Sequence, residues 1–507
     1  MNPARPNAAV IVLSAIVAAI YALRLDDAAG LIVDDAWYIL LAKALASGEG
    51  YRLISSATVA VMPAVPPGFP AVLAPVFLIA PKFPDNLALL KFISVAAMAG
   101  VGVCCWIDFT RHRGVSNAQA TLLAAIVVLT PAFVFLATST VMAECVFTVV
   151  LMLAVLAVER VIRQEPTQLR AAMLAGVSLA AVVLIRSAGV AAIAAAIGFL
   201  VLHRRWRQLA ACAITAAVCL LPWQLYAAAN APSATDSFAH GGTIAYSYRE
   251  LLQMARPGDI RVTVTPGEVA VRGVSNVVGI ATRDVGAIIA PALFRGGHES
   301  GQEVVSVGST GRGSMGAATG TTLISGLLSL AIVAGVVRAR AWFSLPALLL
   351  AATAAMIAAV GAQTYRYVVP LTPFLVLFFW RGLAHPSLAR IAVLCVLGLH
   401  LLDHGLYVQA KMNGKADWLA DARDVEHVLA TLGRQPPGAV ASTNPGLVYL
   451  RTHRKGVALA YAEQNWEFWT AAGVRYLVAL RPLHPPTLAR DSEMLLKTKQ
   501  QRWIVKM

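Results

Sequence analysis

The chain has 507 residues, 58% of them hydrophobic and only 13% charged, with a mean hydropathy of +0.69. Soluble domains carry about 25% charged residues, so this balance excludes a soluble enzyme or scaffold and requires a polytopic membrane protein. The net charge of +15 would suit a nucleic-acid binder, but arginine concentrated in cytoplasmic loops gives the same figure, so position decides.

The six cysteines (Cys104, Cys105, Cys145, Cys212, Cys219, Cys395) all fall inside apolar segments. They read as small buried hydrophobes, with neither a disulfide framework nor zinc-site spacing. The N-terminal apolar run has no convincing small-residue cleavage site and is expected to remain as the first span.

A helix crossing about 30 Å of hydrocarbon needs about 17 to 25 residues. Eleven apolar runs approach this: Ala8–Leu23, Leu87–Trp106, Ala118–Leu136, Thr140–Val158, Leu169–Leu184, Gly189–His203, Leu209–Tyr226, Thr322–Val337, Trp342–Gly361, Val368–Trp380 and Ile391–Leu402. Several are short for a full crossing. Alternate connections are rich in arginine: Arg111 and Arg113; Arg160, Arg163 and Arg170; Arg204, Arg205 and Arg207; Arg338 and Arg340; Arg381 and Arg390. The short connections between them hold Arg186, Arg366, or no base at all near Ser139. The positive-inside rule makes the arginine-rich set cytoplasmic, together with Arg5. Nucleic acid is thereby removed as a partner. The first loop (24–86), the long loop 227–320 and the C-terminal tail are then expected to face outward.

In the first outer loop, Asp34 and Asp35 stand just before an amphipathic run that stops at Ser47-Gly48. Either aspartate can cap that helix through the free N–H groups of its first turn. A cap explains one acid and not two, and carboxylates this close to a bilayer are costly and tend to be functional. Pro63-Ala-Val-Pro-Pro-Gly-Phe-Pro70 then forces a turn, and Ala71–Ala80, too short to span, is expected to lie at the interface. In the second outer loop, Tyr246, Tyr248 and Arg249 lie on a predicted helix ending at Pro257-Gly258. Gly296–Gly320 is rich in Gly and Ser; it reads equally as a mobile lid or a passive connector.

From residue 405 the composition is that of a soluble domain, which divides the chain into 1–404 and 405–507. Helices are predicted at Asp417–Leu432, Pro445–His453 and Asn465–Ala472. Strands are predicted at Ala439–Ser442, Val457–Tyr461, Val474–Leu480 and Trp503–Met507, giving a small α/β layer. Asn444-Pro445 and the Trp466/Trp469 pair read as structural. The fold class is therefore an all-α polytopic membrane domain with a small C-terminal α/β domain.

Polar residues near the outer ends of spans share one depth: Asp34 and Asp35, Glu144, Arg186, and Tyr365-Arg366-Tyr367. Each has a bland explanation. Glu144 can pair with Arg186 as a structural ion pair, and Arg186 or Arg366 can snorkel to headgroups. Together they point to an anionic ligand and a proton-transfer site. His400 and His404, one helical turn apart with Asp403 beside them, could hold a metal if a third ligand came from elsewhere, but interfacial histidine is commoner. A transporter or lipid flippase remains the alternative class. It predicts charges at mid-bilayer and related halves, and neither is evident. A third possibility, a non-catalytic assembly subunit, would tolerate loss of both Asp34 and Asp35.

Asp34-Asp-Ala-Trp-Tyr38 resembles the Asp-Glu-Ala-x-Tyr motif in the first outer loop of GT-C-type glycosyltransferases, which include lipid A aminoarabinose transferases and protein O-mannosyltransferases. The likeness continues through Leu45-Ala-Ser-Gly-Glu-Gly-Tyr51, Pro66-Pro-Gly-Phe-Pro70, Arg186-Ser-Ala-Gly189 and Arg366-Tyr-Val-Val-Pro-Leu-Thr-Pro373. It implies a GT-C helical core with interfacial helices and an inverting transfer of a sugar from a polyprenyl-phosphate carrier to a lipid, glycan or protein acceptor on the outer face. It also implies Asp34 as general base, with Asp35 or Glu144 orienting the acceptor or a divalent metal. Tyr38, Tyr365 and Tyr367 are the expected substrate contacts, and no metal ligands are assigned. The chain departs from the pattern at Asp35, where Glu is usual, and at Val65, where Lys or His often stands. The cation for the donor phosphate is then expected from Arg52, Lys82, Arg186 or Arg366.

Overall fold

The structure is a computed structural model, and it describes residues 8–56, 65–230, 254–256, 259–294, 315–359, 364–459, 470, 473–481 and 493–507. The predicted helices around Tyr246–Arg249 and Asn465–Ala472, and most of Gly296–Gly320, lie outside these residues.

The membrane domain opens with α1 (Ala8–Arg24), α2 (Val33–Ala46), α3 (Gly68–Ile79) and α4 (Leu87–Arg111). The chain continues through α5 (Asn117–Val128), α6 (Pro131–Thr138), α7 (Glu144–Arg163), α8 (Arg170–Ile185), α9 (Val190–Leu202) and α10 (Trp206–Asn230). After the paired strands β1 (Met254–Arg256) and β2 (Asp259–Thr263) come α11 (Pro266–Gly279) and α12 (Val285–Ile289), joined by a π turn over Ile280–Asp284. Then follow α13 (Met315–Arg338), α14 (Leu345–Ala359), α15 (Tyr365–Val368), α16 (Thr372–Gly382) and α17 (Pro386–Met412).

Each of the apolar runs predicted above is helical, although Ala118–Leu136 is divided between α5 and α6 and Val368–Trp380 between the end of α15, a 3₁₀ turn and α16. Among the described residues, α4, α7, α10, α13 and α17 are each long and apolar enough to cross alone, and α5 with α6 makes a sixth passage bent by 54°. The bend falls at Thr130-Pro131, where proline has no N–H to continue the helix. The chain is a multi-pass helical membrane protein. The faces of its helices agree: Val103, Leu174, Ile214, Val218, Leu225, Leu330 and Ile391 are all exposed, as lipid-facing apolar side chains are. Cys104, Cys105, Cys145 and Cys212 are buried as expected, whereas Cys395 is exposed on α17 and Cys219 half-buried on α10.

Within the bundle, α13 and α16 cross at the closest approach. A Cβ on Gly335 would run into the carbonyl of Phe378, and one on Gly382 into the carbonyl of Ala331. Small residues let the two backbones touch, the usual device where apolar surface alone cannot drive helices together in lipid.

Charged groups sort to the two ends. At one end Arg113 bridges Asp108 (3.1 Å) and Glu159 (2.7 Å), and Arg205 donates to the Ile162 carbonyl (2.7 Å). The candidate site occupies the other. There α11, the π turn and α12 form a rod against the ends of several helices. Arg272 and Asn276 donate to the carbonyls of Ala359 (2.7 Å) and Ile357 (2.9 Å) in the last turn of α14. Ser325 and Ser329 of α13 donate to Ala281, and His400 of α17 meets the carbonyl of Ile289 at 3.0 Å. The exposed Val271, Val274 and Val278 form one apolar stripe on α11. The long segment between α10 and α13 therefore holds an amphipathic helix that the sequence reading did not place.

The C-terminal domain is the predicted α/β layer. It comprises α18 (Asp417–Gly433), β3 (Ala439–Ser442), α19 (Pro445–Thr452), β4 (Gly456–Ala458), β5 (Val474–Ala479), β6 (Glu493–Lys497) and β7 (Trp503–Lys506). The sheet order is β4-β3-β5-β7-β6, with β4, β3 and β5 parallel and β7 antiparallel to both β5 and β6. The edge strand β6 carries no strong apolar alternation and was not predicted. The domain is not an appendage. Trp418 of α18 stacks edge-on against Phe135 of α6 (5.0 Å), α19 packs on α2, and Gly456 donates to the Ser55 carbonyl (2.8 Å) in the connection between α2 and α3.

Candidate active site

Helix α2 begins at Val33 after an extended Ile32, and neither aspartate caps it. The expectation of an Asp cap is corrected: both carboxylates find partners elsewhere. Asp34, with its side chain 35% exposed, accepts from Arg366 Nη1 at 2.8 Å. Asp35 is fully buried, and its Oδ2 accepts the N–H of Gly30 at 2.8 Å. Among the described residues its Oδ1 has no hydrogen-bond partner.

Four separate parts of the chain meet here. Glu144 starts α7, where the helix dipole favours a carboxylate, and it is completely buried. Its Oε1 alone accepts from Arg186 Nη1 (2.7 Å) and from Arg366 Nε (3.1 Å) and Nη2 (3.0 Å). Sequence reasoning foresaw a pair with Arg186; the structure makes a triad. A carboxylate this deep is sustained only by opposite charge and hydrogen bonds. Arg186 sits in the extended residue between α8 and the 3₁₀ turn Ser187–Gly189. Its guanidinium lies 5.4 Å from the ring centre of Tyr367 and 6.0 Å from that of Phe147.

The π turn sets Arg366. Asp284 is buried there, held by Arg283 Nε at 2.7 Å, and accepts the hydroxyl of Thr364, the residue before α15. Single π turns recur at functional sites because they re-aim one side chain within a helix.

Tyr38, one turn beyond Asp34, is buried edge-on against Phe69 at 5.0 Å. Burial pushes its phenol up, with the charges of Arg186 and Arg366 opposing and those of Asp34 and Glu144 adding. It therefore stands within the field of the cluster. Tyr365 is buried beside Arg366, and Tyr367 is half-buried under Arg186. Arg52 and Lys82 are not drawn in: Arg52 faces Glu49 at 3.9 Å with 43% of its side chain exposed, and Lys82 is exposed.

Three features escaped the sequence reading. Asp26 accepts from Lys91 Nζ (2.9 Å) and from Ser139 Oγ (2.6 Å), a fully buried ion pair behind the acid couple. Arg24 stacks on Tyr407 at 3.6 Å. Arg481, just past β5, is exposed and near enough to Asp34 and Asp35 for their charges to act on its guanidinium. Only a lone Lys in the first turn of an apolar run could have signalled the first of these.

His400 and His404 point to the backbone carbonyls of Ile289 (3.0 Å) and Leu129 (2.9 Å). Among the described residues no three His, Cys, Asp or Glu side chains converge on a point where an ion could sit. The histidine pair is a device for holding α17 to its neighbours.

Beside Arg186 a narrow apolar crevice of about 10 Å³, room for about one water, lies between α7, α9 and α14, lined by Phe147, Leu151, Ala188, Ala191, Leu349 and Tyr367 among others.

Burial pushes the Asp35 carboxyl up to about 8, against the pull of the Gly30 and Ala36 N–H groups and of Lys91, with Asp34 adding to the rise. The folded chain then holds a proton that the unfolded chain releases near 3.8, so stability falls as pH climbs from about 4 to about 8. An Asp35→Asn variant is neutral throughout. Its melting temperature in detergent, relative to the parent, is expected to rise across that window and level off above it. A pH-independent difference would remove the buried, protonated Asp35.

No protein-family model matches the chain, and no curated protein matches it by sequence. Solved structures do. The oligosaccharyltransferase AglB from Archaeoglobus fulgidus, in complex with an inhibitory peptide and a dolichol-phosphate, is 13% identical, with a TM-score of 0.51 over 93% of this chain and 69% of that one. The same protein tethered to an acceptor peptide gives a TM-score of 0.53 at 12% identity, over 93% of this chain and 69% of that one. ArnT from Cupriavidus metallidurans bound to undecaprenyl phosphate is 11% identical with a TM-score of 0.44, covering 99% of this chain and 98% of that one. At these identities the likeness is one of architecture, and the architecture is the GT-C membrane fold that the short motifs imply.

Proposed function

We propose that the protein is a glycosyltransferase that moves a sugar from a polyprenyl-phosphate carrier to an acceptor hydroxyl or amide at the extracytoplasmic face of the plasma membrane. The observation that carries this is the triad. One buried oxygen of Glu144 fixes Arg186 and Arg366 side by side, and Arg366 reaches on to the half-open Asp34. Two guanidiniums aimed at one point are a phosphate grip, and a carboxylate next to them is a base in reach of the same ligand. The shared fold supports the donor class, since AglB was solved with a dolichol-phosphate. The arginine-rich connections at the opposite end support the outward orientation.

In the resting arrangement Arg366 is engaged by Asp34. A donor phosphate would compete for that guanidinium and release the carboxylate. The acceptor oxygen (or nitrogen) attacks the anomeric carbon, the bond from that carbon to the phosphate oxygen breaks, and the acceptor proton passes to Asp34. The polyprenyl phosphate leaves with the bonding pair, its charge met by Arg186 and Arg366. One displacement inverts the anomeric centre. Tyr38 and Tyr367, beside the same cluster, are the proposed contacts to the sugar.

The apolar lining of the crevice beside Arg186 marks a path for the first isoprenes of the carrier, which would have to widen it on entering. Ala191→Leu, which fills it, is expected to raise KM about tenfold for a long-chain donor and leave a water-soluble short-chain donor unchanged. Equal effects on both would take the tail out of the crevice.

The direct test supplies membranes containing the protein with a radiolabelled polyprenyl-phosphate sugar and follows label into lipid, glycan and protein fractions. Label in a glycosidic product, dependent on the protein, is the expected result. Movement of lipid or solute across the bilayer without such a product would favour a transporter.

A further inference from the structure

Behind the acid pair, one residue, Gly30, connects α2 to the C-terminal domain. The carbonyl of Gly30 accepts from Asn444 Nδ2 at 2.6 Å, and the N–H of the same residue donates to Asp35 Oδ2 at 2.8 Å. Gly30 takes φ +79°, a conformation that side chains disfavour, and Leu447 fills the space beside it: a Cβ there would lie 2.5 Å from Leu447 Cδ1. Asn444 is itself fixed at every polar atom. Its Oδ1 caps α19 by accepting Leu447 N–H (3.1 Å), its own N–H donates to Ser442 Oγ (3.1 Å), and it is buried to 2% exposure. The turn that carries it is bound to the end of β5, because Thr443 N–H donates to Val478 and Thr443 Oγ1 accepts from Leu480 N–H.

We infer that Asn444 is a positioning residue for the acid pair: through the backbone of Gly30 it holds Asp35, and so fixes the direction in which Asp34 faces Arg366. The inference rests on the proposed reading of Asp34 as the reacting base. Geometry supports it beyond the hydrogen bonds. The first turn of α2 has no side-chain cap of its own, so its start is fixed by Asp35 and Gly30. At the same contact Gly446 lets α19 approach α2 closely, a Cβ on it meeting Leu40 Cδ1 at 3.0 Å and Ala36 Cβ at 3.3 Å. The same turn carries the end of β5, so Arg481 would move with any shift of Asn444.

Asn444→Ser separates the two tasks of this side chain. A serine oxygen still caps α19, but it is too short to donate to Gly30. The full-length protein in membranes or detergent is compared with Asn444→Ser and with Leu447→Ala, which loosens the same packing but keeps the amide. The readouts are hydrogen exchange over residues 28–36 and transfer from the labelled polyprenyl-phosphate sugar. Asn444→Ser is expected to speed exchange at Gly30 at least tenfold and to lower kcat about tenfold, with donor KM within twofold of the parent. Leu447→Ala is expected to lower thermal stability while leaving kcat within about threefold. Unchanged exchange in Asn444→Ser overturns the inference, and so does faster exchange with unaltered kcat. If the parent transfers no sugar from any donor, the functional reading fails separately, and the inference fails with it as a statement about catalysis. The exchange data then still decide whether the domain holds α2.

Discussion

Asp34→Asn is expected to lower transfer about a thousandfold or more while donor binding stays within a few-fold of the parent. A positioned general base contributes roughly 10²- to 10⁴-fold, and asparagine keeps the shape and a weak hydrogen bond to Arg366 but takes up no proton. Arg366 retains Glu144 in this variant, so the phosphate grip survives. The comparison is made in one membrane preparation, with transfer and binding of the same labelled donor measured side by side. Asp34→Glu, which keeps the base on a longer arm, should recover part of the rate. Full activity in Asp34→Asn would remove the assignment. A parallel loss of donor binding would instead make Asp34 a binding residue.

Glu144→Gln should show the largest effect on folding. One buried oxygen of this side chain serves two guanidiniums, and neutralising it leaves Arg186 and Arg366 crowded with only the half-exposed Asp34 as counter-charge. Removing one partner of a buried ion pair costs about 3–5 kcal/mol. The monodisperse fraction after heating in detergent is expected to fall sharply, and the double change Glu144→Gln with Arg186→Gln should recover part of the loss, because it removes one uncompensated cation along with the carboxylate. A single variant as heat-resistant as the parent would show that the triad is screened by water and not buried.

Much of this arrangement can be read along the chain. Spans announce themselves because lipid admits only helices with satisfied backbones, and alternating arginine loops order them end to end. Asp34, Glu144, Arg186 and Arg366 were recoverable together because the topology places them at one depth, although they lie as much as 332 positions apart. What could not be read is partnership. An aspartate before a helix looks like a cap, yet Asp34 serves an arginine 332 positions away and Asp35 accepts the N–H of Gly30 ahead of the helix, and neither partnership is written in the local pattern. Lys91 and Asp26 each look like an ordinary residue near a span end until folding buries them as a pair. The rod of α11 and α12 escaped because its valines recur on one stripe without forming a continuous apolar run. Asn444-Pro445 reads only as structural along the chain, and the structure shows a helix cap on one side of the Asn444 amide and a bond to Gly30, the partner of Asp35, on the other. Arg52 and Lys82 illustrate the converse: proximity in sequence to a motif does not bring a charge into the site.

The bare contact between Gly335 and Gly382 has a mechanical meaning. Residues 365–382 form a nearly unbroken helical column whose one end rests on that contact and whose other end bears Arg366. Sixteen residues at about 1.5 Å each make a lever of roughly 24 Å, so a tilt of about 5° at the crossing would carry the guanidinium roughly 2 Å. That displacement is enough to trade one hydrogen-bond partner for another. A methyl group added at either glycine would pry the fulcrum open and shift Arg366 at the other end of the column.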